Sequence, residues 1–221
     1  MSARPKVSTT YRVAMTLCRP IVRTWGRLEV TGLEHLPADG PTLLVTNHDS
    51  YWDPVVVGVA ALERRQIKAL AKDTLWKIKG LDRVLDGMGQ IPIKRGKQDA
   101  AAMERAVQEL RDGSCIGIFP EGTRSLGREL PARGGLGRLA EAVPESRVVC
   151  VSTRGTTDIP RFPKRPRVRV HFFEPAGGGR RDGEDARAFA ARLLAEIRAE
   201  APITAAGRRP KALAEPEPHR S

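Results

Sequence analysis

The sequence predicts a single α/β domain with a mainly parallel central sheet flanked by helices, preceded by a short basic amphipathic segment. Three observations predict it. Apolar runs of strand length alternate with stretches of helical periodicity, the pattern of a sheet wrapped by crossover helices. A chain of 221 residues is long enough for one buried core. No apolar run approaches the roughly 20 residues of a spanning helix, so no transmembrane anchor is expected. The expected divisions are a basic segment over residues 1–27, the domain over 28–200 and a disordered tail over 201–221.

The elements follow in order. Val13, Met15, Leu17, Ile21, Val22 and Trp25 are interleaved with Arg4, Lys6, Arg12, Arg19, Arg23 and Arg27, six cations before the first acidic residue, Glu29. Such a segment fits a membrane interface, and equally a helix packed on the domain with its arginines in water. Pro20 interrupts it, so two short pieces are expected. Leu28–Val30 resembles a short strand, and residues 33–40 a loop with turn residues. Thr42–Thr46 is a strand, followed by a helix over Pro54–Leu62. Ile67–Ala71 is a second apolar run. Leu75, Ile78, Leu81 and Leu85 then recur at helical spacing up to Gly87. Gln90–Ile93 is another strand. Asp99–Arg111 is the clearest helix, with Ala100, Met103, Val107 and Leu110 on one face and Gly113 as its stop signal. Ser114–Phe119 and Val148–Val151 are buried strands on either side of a helix over Leu136–Ala142. Val168–Phe172 alternates like a strand with one wet face, and Phe189, Leu193 and Ile197 stripe a last helix. Beyond Pro202 the Pro-, Ala- and charge-rich tail has little to bury.

A net charge of +12 favours anionic partners: phospholipid headgroups, nucleic acid or phosphorylated substrates. No zinc-finger spacing and no aromatic-rich sheet signature appear, and the aromatics total only ten, so no specific nucleic-acid partner is expected. Cys18, Cys115 and Cys150 have unrelated spacings, which supply neither a disulfide framework nor a metal site. A reducing compartment, no bound cofactor and no secretory signal are the corresponding expectations.

In a parallel sheet, ligands bind beyond the carboxyl ends of the strands. The polar residues after Val45, Ile93, Phe119 and Val151 should therefore gather along one rim. The first of these groups is Asn47-His48-Asp49-Ser50-Tyr51-Trp52-Asp53-Pro54. On one continuous helix, residues five apart point about 140° away from each other, so His48 and Asp53 meet only if the chain turns between them. Asp53-Pro54 supplies that turn, as the start of a helix. The Asp53 carboxylate can then cap the helix, orient the ring, or do both. His48 is the candidate general base, with Asp53 holding its tautomer and stabilising the imidazolium.

Two later groups answer this one. In Phe119-Pro120-Glu121-Gly122-Thr123-Arg124-Ser125, Gly122 permits close approach of the backbone and Thr123 offers a hydroxyl. Arg124 can grip phosphate oxygens in a two-pronged way, and Glu121 can hold a substrate hydroxyl or fix Arg124. Lys94 and Arg95 place cations after a second strand. One decoy is set aside. Gly113-Ser114-Cys115-Ile116-Gly117 has the string of a nucleophile elbow with cysteine at its centre, but a helix precedes it and a strand follows, the reverse of an elbow. Cys115 is expected in the core.

With these residues in view, the sequence resembles the glycerolipid acyltransferases, especially the bacterial 1-acyl-glycerol-3-phosphate acyltransferases. The resemblance rests on N-H-x-x-x-x-D at Asn47, His48 and Asp53, on the strand ending in Arg95, and on F-P-E-G-T-R-S at Phe119–Ser125. It covers roughly Leu28 to Gly155. It implies direct acyl transfer from acyl-CoA or acyl carrier protein to the free hydroxyl of 1-acyl-glycerol-3-phosphate, giving phosphatidic acid. The catalytic positions are then His48 and Asp53. Phosphate binding falls on Arg95 and Arg124, and Glu121 and Gly122 shape the acceptor pocket. An anionic membrane surface is the implied partner, at the cytoplasmic face and peripherally. Two departures bear on the acceptor: Val149-Cys150-Val151 stands where a proline is usual, and Lys94 where an acidic or amide residue is common. Other acceptors therefore stay open, namely a lysophospholipid, a glycolipid or an ornithine lipid. A non-catalytic module binding anionic lipid or nucleic acid through Arg161, Lys164, Arg165, Arg167 and Arg169 is the alternative of a different class.

Overall fold

The structure, a computed structural model, describes residues 7–94 and 99–203. Seven strands form one sheet: β1 (Glu29–Thr31), β2 (Thr42–Thr46), β3 (Ile67–Lys72), β4 (Ile91–Ile93), β5 (Cys115–Ile118), β6 (Arg147–Arg154) and β7 (Arg169–Phe173), in the order β1-β7-β6-β2-β5-β3-β4. Among the described residues only the β6–β7 pair is antiparallel. β2 lies between β5 and β6, and every residue of β2 and β5 is buried, as expected of strands covered on both faces.

Helices cover the two faces. One face packs Leu44, Val149, Val151 and Phe172 against α1 (Thr9–Pro20) and α2 (Asp53–Ala61). The other packs Leu43, Val45, Ile116 and Cys150 against α4 (Ala100–Arg111), α5 (Gly135–Ala142) and α6 (Ala186–Glu200). A short helix, α3 (Leu81–Gly87), lies beyond β3. Phe189, Leu193 and Ile197 recur every four residues and bury one stripe of α6, starting from Asp185, which caps the N–H groups of Arg187 and Ala188. Asp99 caps α4 through Ala102 N–H, and Gly113 past its end takes φ 81°, the left-handed conformation expected of a stop signal.

The amino ends of the strands are held by one buried side chain. Arg65 donates to the carbonyls of Pro37, Asp39, Gly40 and Gly113 and to Thr42 Oγ1, over 2.9–3.3 Å. It thereby ties the segments leading into β2 and β5.

Pro20 closes α1, and a separate π-helical turn over Ile21–Trp25 follows it, closed by Gly26 N–H on Ile21 O at 2.9 Å, so two short pieces form as expected. Two expectations are corrected. The periodic stretch 75–87 is not one helix. It forms a 3₁₀ turn at Asp73–Lys77 and then α3, because Gly80 sits between them at φ 87° and neither piece has a fully buried residue to dock. Residues 33–40, read as a loop, include a 3₁₀ turn at Leu33–His35. The expected tail lies outside the described residues beyond residue 203, and Arg95 lies outside them as well.

Candidate active site

Because β2 to β6 run parallel, the segments after Thr46, Ile93, Ile118 and Arg154 leave the sheet along one edge. At that edge the chain turns between His48 and the start of α2, and the ring meets the carboxylate: His48 Nδ1 lies 3.0 Å from Asp53 Oδ2. The same oxygen accepts the backbone N–H groups of Asp49 and Ser50, each at 2.7 Å. Of the two roles open to Asp53, the carboxylate therefore orients the ring and braces the loop before the helix, and it makes no cap bond to α2. Asp53 is 0% exposed and His48 5%, so the pair is shielded from competing water. With Nδ1–H donating to Asp53, Nε2 keeps its lone pair, the tautomer a general base requires. The Phe119 ring lies against the imidazole with centroids 4.1 Å apart.

The two principal loops are stitched together through the backbone of His48. Its N–H donates to Glu121 Oε2 at 2.7 Å, and its carbonyl accepts from Ser125 N–H at 2.7 Å. Ser125 Oγ donates to Asp49. Asn47 closes the other side: its Oδ1 accepts from Thr153 N–H at 2.8 Å and its Nδ2 donates to Thr153 O at 3.0 Å. Glu121 is 2% exposed and turned inward. Its second oxygen is held by Arg198 and not by Arg124, so the local Glu121–Arg124 pair does not form.

Arg124 instead stacks on the exposed ring of Tyr51, 3.5 Å from the centroid, and its Nη2 donates to the Tyr51 hydroxyl at 2.8 Å. The Arg124 guanidinium is thus seated on the loop that carries His48. Thr123 is exposed beside it. Gly122 takes φ 69°, and a Cβ there would meet Arg133 Cδ and Nε at 2.6 Å, so the close approach this glycine permits is to a side chain of the protein itself. Lys94 is exposed at the end of β4, its N–H donating to Asp99. Cys115 and Cys150 are core residues, and burial pushes their thiols up to about 11 and about 12.

Several residues at this edge were not singled out from sequence: Phe119, Tyr51, Asp49, Thr153, Arg133 and Arg198. Most neighbour or belong to the recognised motifs. Arg198 does not. It comes from the last turn of α6, donating from Nη1 to Asp49 Oδ2 and from Nη2 to Asp49 Oδ1, both at 2.9 Å, and from Nη2 to Glu121. Burial raises the Asp49 carboxyl, but the bonds from Arg198, Ser125 and Asn47 outweigh it and hold Asp49 below the ordinary range. For Glu121 burial wins over Arg198 and the His48 N–H, and its carboxyl is pushed up. Among the described residues no group of three or more His, Cys, Asp or Glu side chains is placed to hold a metal ion, and no helix is long and apolar enough to cross a membrane.

A family model described as Acyltransferase matches residues 27–162. Over 165 residues the chain is 24% identical to a 1-acyl-sn-glycerol-3-phosphate acyltransferase of Bacillus subtilis, covering 75% of this chain and 81% of that protein. Over 103 residues it is 36% identical to a protein of the same description from Borreliella burgdorferi, covering 46% of this chain and 40% of that one. The fold is similar to the crystal structure of the 1-acyl-sn-glycerophosphate acyltransferase from Thermotoga maritima. The TM-score is 0.65 at 21% identity, over 86% of this chain and 76% of that chain.

Proposed function

The chain belongs to the acyltransferase family, and on that premise we propose that it transfers a fatty acyl group from acyl-CoA or acyl carrier protein to the free hydroxyl of 1-acyl-glycerol-3-phosphate, giving phosphatidic acid. The observation that carries the reading is the buried His48–Asp53 pair held at 3.0 Å on the same loop that seats Arg124. His48 Nε2 takes the hydroxyl proton as the acceptor oxygen forms its bond to the thioester carbonyl carbon. The tetrahedral adduct collapses with cleavage of the C–S bond. The proton then passes from the imidazolium to the leaving thiolate, so the products are an ester and a free thiol. Asp53 stabilises the imidazolium in between. Arg124, with Lys94, Arg95 and the Thr123 hydroxyl, binds the acceptor phosphate. Gly122 and Glu121 shape the acceptor side, Glu121 by fixing the His48 backbone against the Gly122 loop.

The acceptor and donor are lipids, and α1 carries a surface suited to them. Its inner side buries Tyr11 and Met15, while Val13 and Leu17, continued by Ile21 of the π-helical turn, point outward every four residues, Leu17 with 72% exposure. Arg12, Arg19 and Arg23 interleave that stripe. An apolar stripe edged by guanidinium groups suits the headgroup layer of an anionic membrane, which makes the protein peripheral, at the cytoplasmic face.

The test is thiol release by the purified protein from long-chain acyl-CoA in the presence of lysophosphatidic acid. His48→Ala is expected to lower the rate by at least about 10³-fold, the scale of losing a general base together with its oriented geometry, while anionic vesicles still sediment the protein. Equal rates in mutant and wild type would remove the catalytic reading and leave the lipid-binding one. Lys94, a cation where relatives commonly have an acid or amide, favours testing a panel of lysophospholipid, glycolipid and ornithine-lipid acceptors in the same assay.

A further inference from the structure

Arg198 lies beyond residues 27–162 and belongs to none of the motifs that identify the family. Its surroundings are built rather than incidental. The apolar stripe of α6 fixes the rotation of the helix on the sheet, which brings Arg198, next to buried Ile197, to the edge where the catalytic loops leave. The helix end is pinned independently: Glu200 Oε2 accepts from Ser152 Oγ at 3.0 Å and lies 2.7 Å from His171 Nδ1. From that anchored turn the guanidinium, only 14% exposed, reaches one carboxylate on each catalytic loop.

Both reaches end on His48. On one route, Arg198 grips Asp49 with two parallel bonds, and Asp49 N–H donates to the Asp53 oxygen that orients the imidazole. On the other, Arg198 holds Glu121 Oε1, and Glu121 Oε2 accepts the N–H of His48 itself. A planar fork with five donors makes these contacts together. The compact ammonium of lysine has no such fixed geometry.

We infer that Arg198 is a positioning residue for the acyl transfer proposed above: by bridging Asp49 and Glu121 it holds the two catalytic loops in register, and the catalytic unit thereby extends to the last helix. The inference rests on His48 being the base. Without Arg198, the buried Glu121 carboxylate and the half-buried Asp49 carboxylate face each other with no cation between them, and the loops separate. A displacement of about 1 Å at a reacting group costs on the order of 10²-fold in rate.

The test compares Arg198→Lys and Arg198→Gln with wild type and His48→Ala in the thiol-release assay, with thermal unfolding followed by circular dichroism. Arg198→Lys keeps the charge and is expected to fold. Its kcat should fall about 10–100-fold with the acceptor KM within about threefold, the pattern of lost transition-state geometry rather than lost acceptor binding. Arg198→Gln should lose more. A folded variant with kcat within about twofold of wild type overturns the inference. So does a raised acceptor KM at unchanged kcat, which would make Arg198 a binding group. Failure of both variants to fold overturns it too, since the residue then serves the fold as a whole. Activity surviving in His48→Ala removes the proposed base, whereas an inactive His48→Ala beside a wild-type-like Arg198→Gln removes only the positioning role.

Discussion

Two arginines, Arg65 buried and Arg198 half-buried, sit at opposite edges of the same pair of strands. Arg65 ties the segments that lead into β2 and β5, and Arg198 ties the segments that lead out of them. The acceptors differ in kind. Arg65 meets backbone carbonyls and one hydroxyl, which stay neutral at every working pH; burial lowers its affinity for a proton, and the nearby Cys115 and Asp39 only partly offset this. Arg198 meets two carboxylates; burial again pulls downward, but Asp49 and Glu121 outweigh it and raise the guanidinium. The lesson is that one kind of side chain serves as a neutral staple where the sheet needs only holding. It serves as an ionic one where the loops carry the His48–Asp53 pair.

Removing the neutral staple separates the two edges most directly. Arg65→Met leaves several buried carbonyls without donors and should cost roughly 2–4 kcal/mol of stability. The transfer rate per folded molecule should stay at the wild-type value. Urea unfolding and thiol release on the same preparation check both halves, and a lost rate at unchanged stability would erase the distinction between the edges.

The ionic staple should show itself in acid. Asp49 is held below its ordinary value, so it adds stability above the unfolded value near 3.9 and loses it as pH falls through the lower folded value. The urea midpoint of the wild type should therefore drop as pH is lowered below about 4, and Asp49→Asn should flatten that drop. Parallel slopes in the two proteins would mean that other carboxylates set the acid limit.

The smallest expected effect lies at the exposed rim. Tyr51→Leu removes the ring beneath Arg124 and its hydrogen bond, an exposed cation–π contact of about 0.5–1 kcal/mol. Acceptor KM should rise about two- to fivefold with kcat little changed, measured by varying lysophosphatidic acid at saturating acyl-CoA. An unaltered KM would detach Arg124 from acceptor binding.

Much of this was legible in the chain because the signals are local. An apolar run closed by polar residues marks Thr42–Thr46, Asp53-Pro54 marks where α2 begins, and Asp99 marks the start of α4. The rim followed from parallel strands, and the meeting of His48 with Asp53 from the turn between them. Arg198 was not legible, since its partners lie 149 and 77 residues away and nothing beside it distinguishes it from other arginines on a helix. The inward turn of Glu121 was hidden for the same reason, as its orientation depends on that distant guanidinium. The break at Gly80 was missed because periodicity counts apolar residues and not the depth at which they dock.

The position of α6 also bears on how the protein is made. Asp49 leaves the ribosome 149 residues before the guanidinium that grips it. β2 likewise waits for β6, one of its two neighbours, to be synthesised. A nascent chain therefore carries its histidine long before the surroundings of that histidine are complete. Closure of the network around that histidine waits for α6.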